Sequence, residues 1–375
     1  MIQVLLPLFL GLLSVFFGSY ILYFAYVRNS ARKPWKLEID RAFKPQISVL
    51  IPVHNEEGSI ESKLQNIRDV SYPRERMEII VADDSSDDKT LKIVEDFVEK
   101  NPELNIRVVR QNPRAGKSAA LNKALAGSTH SIVVVSDADT HWPSDILEKA
   151  LPYLADSTVG AITGRGVNRN RGQSWVTRGE ETYLNFAYLF RLGESKIHST
   201  IRFEGGFCAY KKEAFEKFDC ETGADDSGTA LMVVQNGYRA ILVPEAVFYT
   251  EFPTRLVGKL RIKARRANQL ISLCAKSLGL MLKGQLRLPK KIAVAKTLLF
   301  IFNPLILLAL MVTSIVMIAL SPLSFFSLVL VLFIASLLLF ARRIFLEVLF
   351  DNLILFYALA TFLFGKRYVA WEKGV

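Results

Sequence analysis

Cysteine is scarce in this chain. Only Cys208, Cys220 and Cys274 occur in 375 residues, and their spacing offers neither a disulfide framework nor a metal-ligand set. They fit reduced, inert thiols of a cytoplasmic setting. Histidine occurs four times, with no His-Glu-x-x-His pair, so each is expected to be structural. Internal repeats, low-complexity linkers and nucleic-acid-binding motifs are missing as well. One glycine is missing where it matters. Asn112-Pro113-Arg114-Ala115-Gly116-Lys117-Ser118 invites a phosphate-loop reading, which requires glycine five residues before Gly116. Position 111 is Gln111, which excludes a Walker A loop.

Charge is absent from long stretches at both ends. Residues are 51% hydrophobic overall, and the uncharged runs are Ile2 to Val27, Thr297 to Leu320 and Pro322 to Ala341. Each reaches the roughly 20 residues that span a bilayer. The first has no basic amino-terminal region and no small-residue cleavage site, which favours a retained anchor over a signal peptide. A fourth run, Ile344 to Phe364, carries Glu347 and Asp351. Acidic groups are costly in lipid, so this run is expected to pack in a bundle, re-enter or lie at the interface. Basic residues flank the runs: Arg28, Arg32, Lys33 and Lys36 after the first, Lys283, Arg287, Lys290, Lys291 and Lys296 before the second. The positive-inside tendency then places residues 28–296 in the cytoplasm of an integral plasma-membrane protein. Arg342 and Arg343 agree, whereas Lys366, Arg367 and Lys373 conflict if all four runs span. The net charge of +11 suits a lipid surface and anionic ligands rather than nucleic acid.

The middle region alternates strand and helix. Strands are expected at Ile47–Ile51, Met77–Ala82, Ile106–Val109, Ser131–Val135 and Val159–Thr163. Helices are expected near Ser59–Ile67, Thr90–Lys100 and Lys117–Leu125. Such alternation with short connections argues a mostly parallel, Rossmann-like α/β sheet. Right-handed crossovers align the strand ends on one edge. Three polar clusters fall on that edge: Pro52-Val53-His54-Asn55-Glu56, Asp83-Asp84-Ser85-Ser86-Asp87-Asp88, and Asp137-Ala138-Asp139. Open α/β sheets bind ligands there. Carboxylates that converge repel unless a cation sits among them. A nucleotide diphosphate with a divalent metal suits this set. Arg114 and Lys117, at a helix entrance, could serve the diphosphate.

These elements resemble the family 2 membrane glycosyltransferases, whose GT-A nucleotide-sugar domain lies between transmembrane segments. The resemblance covers residues 46–270. Pro52 to Glu56 is similar to the family's Pro-x-x-Asn-Glu opening, and Asp83 to Thr90 to its Asp-Asp-x-Ser-x-Asp-x-Thr element. Gly116 to Asn122 is similar to its Gly-Lys-x-x-Ala-Leu-Asn helix start. Phe203-Glu204-Gly205-Gly206 sits where the family has a glycine-rich acceptor loop. Asp225-Asp226 stands in place of its Glu-Asp pair. One departure concerns the Gln-x-x-Arg-Trp of processive members: Arg265 matches the arginine, but Arg266 replaces the tryptophan.

The resemblance implies a role for each residue. Pro52, Asn55, Glu56, Asp83, Asp84, Arg114, Lys117, Asp137, Arg265 and Arg266 would hold the nucleotide-diphosphate-sugar, with a UDP-sugar favoured. Asp139, supported by Asp137, would bind Mg²⁺ or Mn²⁺. Glu204, Gly205, Gly206 and Asp225 would line the acceptor site, and Asp226 would be the catalytic base. The implied activity is metal-dependent, inverting transfer to a hydroxyl of a lipid or lipid-linked glycan. A processive polysaccharide synthase and an inactive nucleotide-sugar-binding assembly protein stay open as alternatives. The expected organisation is an anchor (1–27), a basic connector (28–45), the catalytic domain (46–270), basic interfacial helices (271–296), two to three transmembrane helices (297–364) and a tail (365–375).

Overall fold

The computed structural model describes residues 2–365. Its strands are β1 (Ile47–Val53), β2 (Met77–Asp84), β3 (Ile106–Gln111), β4 (Ile132–Val135), β5 (Val159–Asn168), β6 (Cys208–Lys211) and β7 (Arg239–Thr250). Its α-helices are α1 (Ile2–Ala31), α2 (Ile60–Arg68), α3 (Thr90–Lys100), α4 (Lys117–Gly127), α5 (Ile146–Ala150), α6 (Trp175–Ile197), α7 (Asp225–Gln235), α8 (Leu256–Leu282), α9 (Lys290–Thr297), α10 (Asn303–Leu320), α11 (Phe325–Phe340) and α12 (Arg342–Leu363). They form two compact units. One is a sheet unit of residues 27–259 with 286–289. The other is helical, made of α1 up to Tyr26, α8 from Leu260 onward, and α9 to α12. The single helix α8 therefore runs through residue 270, where the sequence analysis ends the catalytic domain.

The sheet order is β3-β2-β1-β4-β6-β5-β7. β1 pairs in parallel with β2 and β4, and β2 with β3, which is the parallel half expected from the alternation. Every residue of β1, β2 and β4 is buried, as befits strands covered on both faces. Ile60, Leu64 and Ile67 of α2 pack with Val49 and Ile51 of β1 in the main core. The register sets Val53 against Asp83 and Leu50 against Val135. The chain therefore leaves β1, β2 and β4 at one common edge.

The other half of the sheet departs from a simple alternation. β6 inserts antiparallel between β4 and β5. Its four residues follow a glycine pair, and the sequence shows only a tight turn. β7, paired in parallel with β5, contains Pro244. A proline inside a strand argues against a central position, and β7 is indeed an edge strand.

A buried carboxylate ties β2 to its neighbours. Glu78 accepts hydrogen bonds from Ser48 Oγ (2.5 Å), Thr129 N–H (2.6 Å), Thr129 Oγ (2.9 Å) and Arg107 Nη2 (3.0 Å). Burial alone raises its pKa, but these bonds favour the charged form more strongly and bring it down to about 2. Its contribution is therefore complete above the ordinary carboxylate range and is lost as pH falls toward 2. Glu78→Gln is expected to cost about 2 kcal/mol at pH 7, because it leaves donors without their charged acceptor. Thermal unfolding across pH checks this: the gap between variant and parent should close in acid.

In the helical unit, Val4–Ala31, Lys290–Leu320 and Phe345–Leu363 are long and apolar enough to cross a membrane. The run at 322–341 forms the shorter α11, 16 residues long. The acidic residues of the fourth run find a partner. Lys263 Nζ of α8 lies 2.6 Å from Asp351 and 3.4 Å from Glu347. A charge inside such a bundle is tolerated when paired, and this triad supplies the pairing. Asn303 of α10 donates to Ser19 Oγ of α1 (2.8 Å), another polar contact between apolar helices. Lys366, Arg367 and Lys373, and with them nearly all of the expected tail, lie outside the described residues.

Candidate active site

The first two strand-end loops brace each other. Asn55 sits at φ 56°, a left-handed conformation that asparagine tolerates well. Its Nδ2 donates to Asp87 (2.6 Å), its Oδ1 accepts the Asp87 N–H (3.0 Å), and its own N–H donates to Ser86 Oγ (3.0 Å). Glu56 N–H donates to Thr90 Oγ (2.7 Å), and the Glu56 carboxylate, itself buried, accepts from Ser59 Oγ. Pro52 is buried within β1. Asn55 thus shapes the loops, and Glu56 adds a buried negative charge to the strand-end cluster.

Asp84 organises the next segment. Its two oxygens accept the N–H groups of Ala115 and Gly116, each at 2.8 Å, and Arg114 Nε lies 3.8 Å away. This clamps the turn entering α4. Asp83, also buried, accepts the Ser86 N–H at 3.2 Å.

Lys117, the first residue of α4, is the centre of the constellation. Its Nζ lies 2.7 Å from Asp137 Oδ1 and 3.1 Å from Asp225 Oδ2. The Asp137 contact is a short, charge-assisted pair. Burial disfavours the ammonium, but Asp137, Asp225 and Asp226 outweigh it and raise the Lys117 pKa well above normal. One cation therefore gathers the carboxyl end of β4 and the amino end of α7. Lys117 was expected at the diphosphate; the structure shows it paired with aspartates.

Too many negative charges converge here for one lysine. Burial, then Asp137 and Glu56, push the pKa of Asp139 up to about 6. Burial, then Asp225, push Asp226 up to about 7, partly offset by Lys117. Asp226 Oδ1 also accepts the Ser227 N–H (2.5 Å). Among the described residues, no three His, Cys, Asp or Glu side chains converge closely enough to hold a metal unaided. A divalent cation bound by one or two carboxylates and completed by substrate phosphates fits this donor set.

The loop of residues 203–206 is built tightly against the cluster. Gly205 O accepts the Asp137 N–H (3.1 Å), and a Cβ at Gly205 would fall 2.8 Å from both Asp137 Oδ2 and Lys117 Nζ. A Cβ at Gly206 would strike the Phe248 ring. Glu204 is held by Arg191 Nη2 (2.8 Å) and the Gly166 N–H (3.0 Å). Gly205→Ala is expected to lower turnover about 100-fold by shifting the Lys117–Asp137 pair. Steady-state rates beside melting temperatures check it: the rate should fall far more than the stability.

Two expected residues belong to the other unit. Arg265 and Arg266 are on α8 in the helical unit. Conversely, sequence reasoning passed over Lys63, Asn66, Trp142 and Arg191, all buried. A signal existed for two of them. Lys63 and Asn66 interrupt the i, i+4, i+7 stripe Ile60, Leu64, Ile67 of α2, where apolar residues belong.

The mostly parallel sheet, with its polar strand ends on one edge, has the GT-A type of fold. Residues 48–219 match the family model described as Glycosyl transferase family 2. A mannosyltransferase from Pyrobaculum calidifontis, solved in complex with GDP-Man and Mn²⁺, is 32% identical with a TM-score of 0.83, over 97% of this chain and 100% of that one. A probable glycosyltransferase of Bacillus subtilis is 29% identical over 269 residues, 68% of this chain and 62% of that protein. A beta-monoglucosyldiacylglycerol synthase of Synechocystis is 37% identical over 138 residues, 36% of this chain and 28% of that protein. The chain thus spans less than two thirds of the length of either of these two curated relatives. The chain belongs to glycosyl transferase family 2.

Proposed function

We propose that this chain transfers one sugar, with inversion, from a nucleotide-diphosphate-sugar to a hydroxyl of a lipid or lipid-linked glycan. The reaction runs at the cytoplasmic face of the plasma membrane. The observation that carries this reading is Lys117 gathering Asp137 and Asp225, with Asp226 beside them, next to Gly205. It supports a single site shared by donor, metal and acceptor. Asp139, supported by Asp137, would hold Mg²⁺ or Mn²⁺, which neutralises charge developing on the departing nucleoside diphosphate. Asp226 removes the proton of the attacking hydroxyl. Its raised pKa, about 7, suits a base working near neutrality. Lys117 holds Asp137 and Asp225 at fixed positions, and Arg191 holds Glu204 beside the acceptor loop. Asp84 shapes the turn that carries Arg114 toward the donor. Arg265 and Arg266 are proposed as diphosphate-binding residues.

The sequence favours a UDP-sugar, whereas the full-length similarity to a protein solved with GDP-Man supports that donor. The test presents both. Full-length protein is given GDP-Man and UDP-sugars with Mn²⁺ or Mg²⁺ and a membrane-lipid extract. Metal-dependent release of nucleoside diphosphate and a lipid product one sugar larger are expected. A ladder of products would replace single addition by processive synthesis. No release with any donor would overturn the proposal.

A further inference from the structure

Lys63 is 1% exposed, and nothing in the proposed chemistry uses it. Burying an ammonium is expensive unless its hydrogen bonds and charge are used. Burial drives its pKa down to about 7, against the attraction of Asp137 and Asp139. Its contacts all lead to the segment after β4. Nζ donates to Thr140 O (3.1 Å) and lies 4.4 Å from the centre of the Trp142 ring. Asn66, one turn along α2, accepts the Trp142 N–H (2.8 Å) and donates to Trp142 O (2.7 Å). Trp142 Nε1 in turn donates to Gly206 O (2.7 Å), and Thr140 Oγ donates to Asp137 O (2.9 Å). The carbonyl that Lys63 holds belongs to the residue directly after Asp139.

We propose that Lys63 is a positioning residue for the cation-receiving carboxylates. Clamped between Thr140 O and the Trp142 face, its ammonium fixes residues 137–142 so that Asp139 and the Gly205-Gly206 loop stay in mutual register. The proposal rests on Asp139 as the metal ligand. Charge alone makes the opposite prediction: a positive group near the site repels a divalent cation, so its removal would tighten binding. A purely packing role would change stability and leave metal affinity alone. Groups that orient metal ligands typically contribute 10- to 100-fold in affinity.

The experiment measures Mn²⁺ affinity of the full-length protein with GDP and, separately, with UDP present, reading free Mn²⁺ by electron paramagnetic resonance. Lys63→Met removes the ammonium and keeps the length and volume. It should weaken Mn²⁺ at least about tenfold with little change in melting temperature, and saturating Mn²⁺ should restore much of the rate. Lys63→Gln, which keeps an N–H donor, should fall between Lys63→Met and the parent. Unchanged or tighter Mn²⁺ binding by Lys63→Met, or an effect on melting temperature alone, overturns the inference. If Lys63→Met fails to fold, Lys63→Gln decides on the same scale, and if neither folds the positioning role is rejected. If the parent protein binds no Mn²⁺ with either nucleotide, the metal reading fails and this inference falls with it. Parent binding beside unchanged variants defeats the inference alone.

Discussion

Asp139→Asn is expected to lower sugar transfer about 1,000-fold, the scale on which electrostatic stabilisation of a leaving group acts. Stability should hold or rise. Asp139 lies near Asp137 and Glu56, which already disfavour its charge. Asparagine removes that repulsion at nearly constant volume, so the melting temperature is the internal control. Donor binding should lose its dependence on divalent cation. Transfer rate, melting temperature and donor affinity with and without Mn²⁺ separate the cases. A slow enzyme that melts early has merely misfolded. A stable, slow enzyme with metal-independent donor binding fits the assigned role, and near-normal transfer removes Asp139 from the metal site.

Asp226→Asn is expected to cost 10²- to 10⁴-fold, the usual contribution of a general base. The pH profile sharpens the test. The base works only when unprotonated, and Asp226 is pushed up to about 7 by burial and by Asp225. The rate should therefore rise about tenfold per pH unit below that value and level off above it. The variant should lose this limb. A phosphate-oxyanion acceptor needs no base, so near-normal transfer by Asp226→Asn at saturating donor and metal would redirect the search toward such an acceptor.

Much of the parallel half was legible because β1, β2 and β4 are buried on both faces. Residues 47–51, 77–82, 106–109 and 131–135 are mostly apolar or β-branched, broken only by Ser48, Glu78, Arg107 and Ser131, and the structure extends three of them by a few residues. β6 was not legible, since four residues after Gly205-Gly206 carry no periodic signal. β7 was obscured by Pro244, which only an edge position accommodates. Of the candidate site, the acidic clusters could be read because each follows an expected strand, and open α/β sheets bind ligands at the carboxyl ends of their strands. Their pairing could not. Lys117 and Asp225 are more than one hundred residues apart, and only folding brings their charges within 3.1 Å. Arg191 on α6 and Lys63 on α2 have no motif to mark them.

The sequence by itself determined the fold class, the family and the apolar segments, because these rest on local periodicity, composition and motif order. The tertiary structure decided how charge is shared: which aspartates Lys117 joins, how Asp84 shapes the turn before α4, and what Lys263 does for Asp351 and Glu347. Those are interactions across space. Their strength depends on burial and on distances of a few ångströms, and neither is encoded in the spacing of residues along the chain.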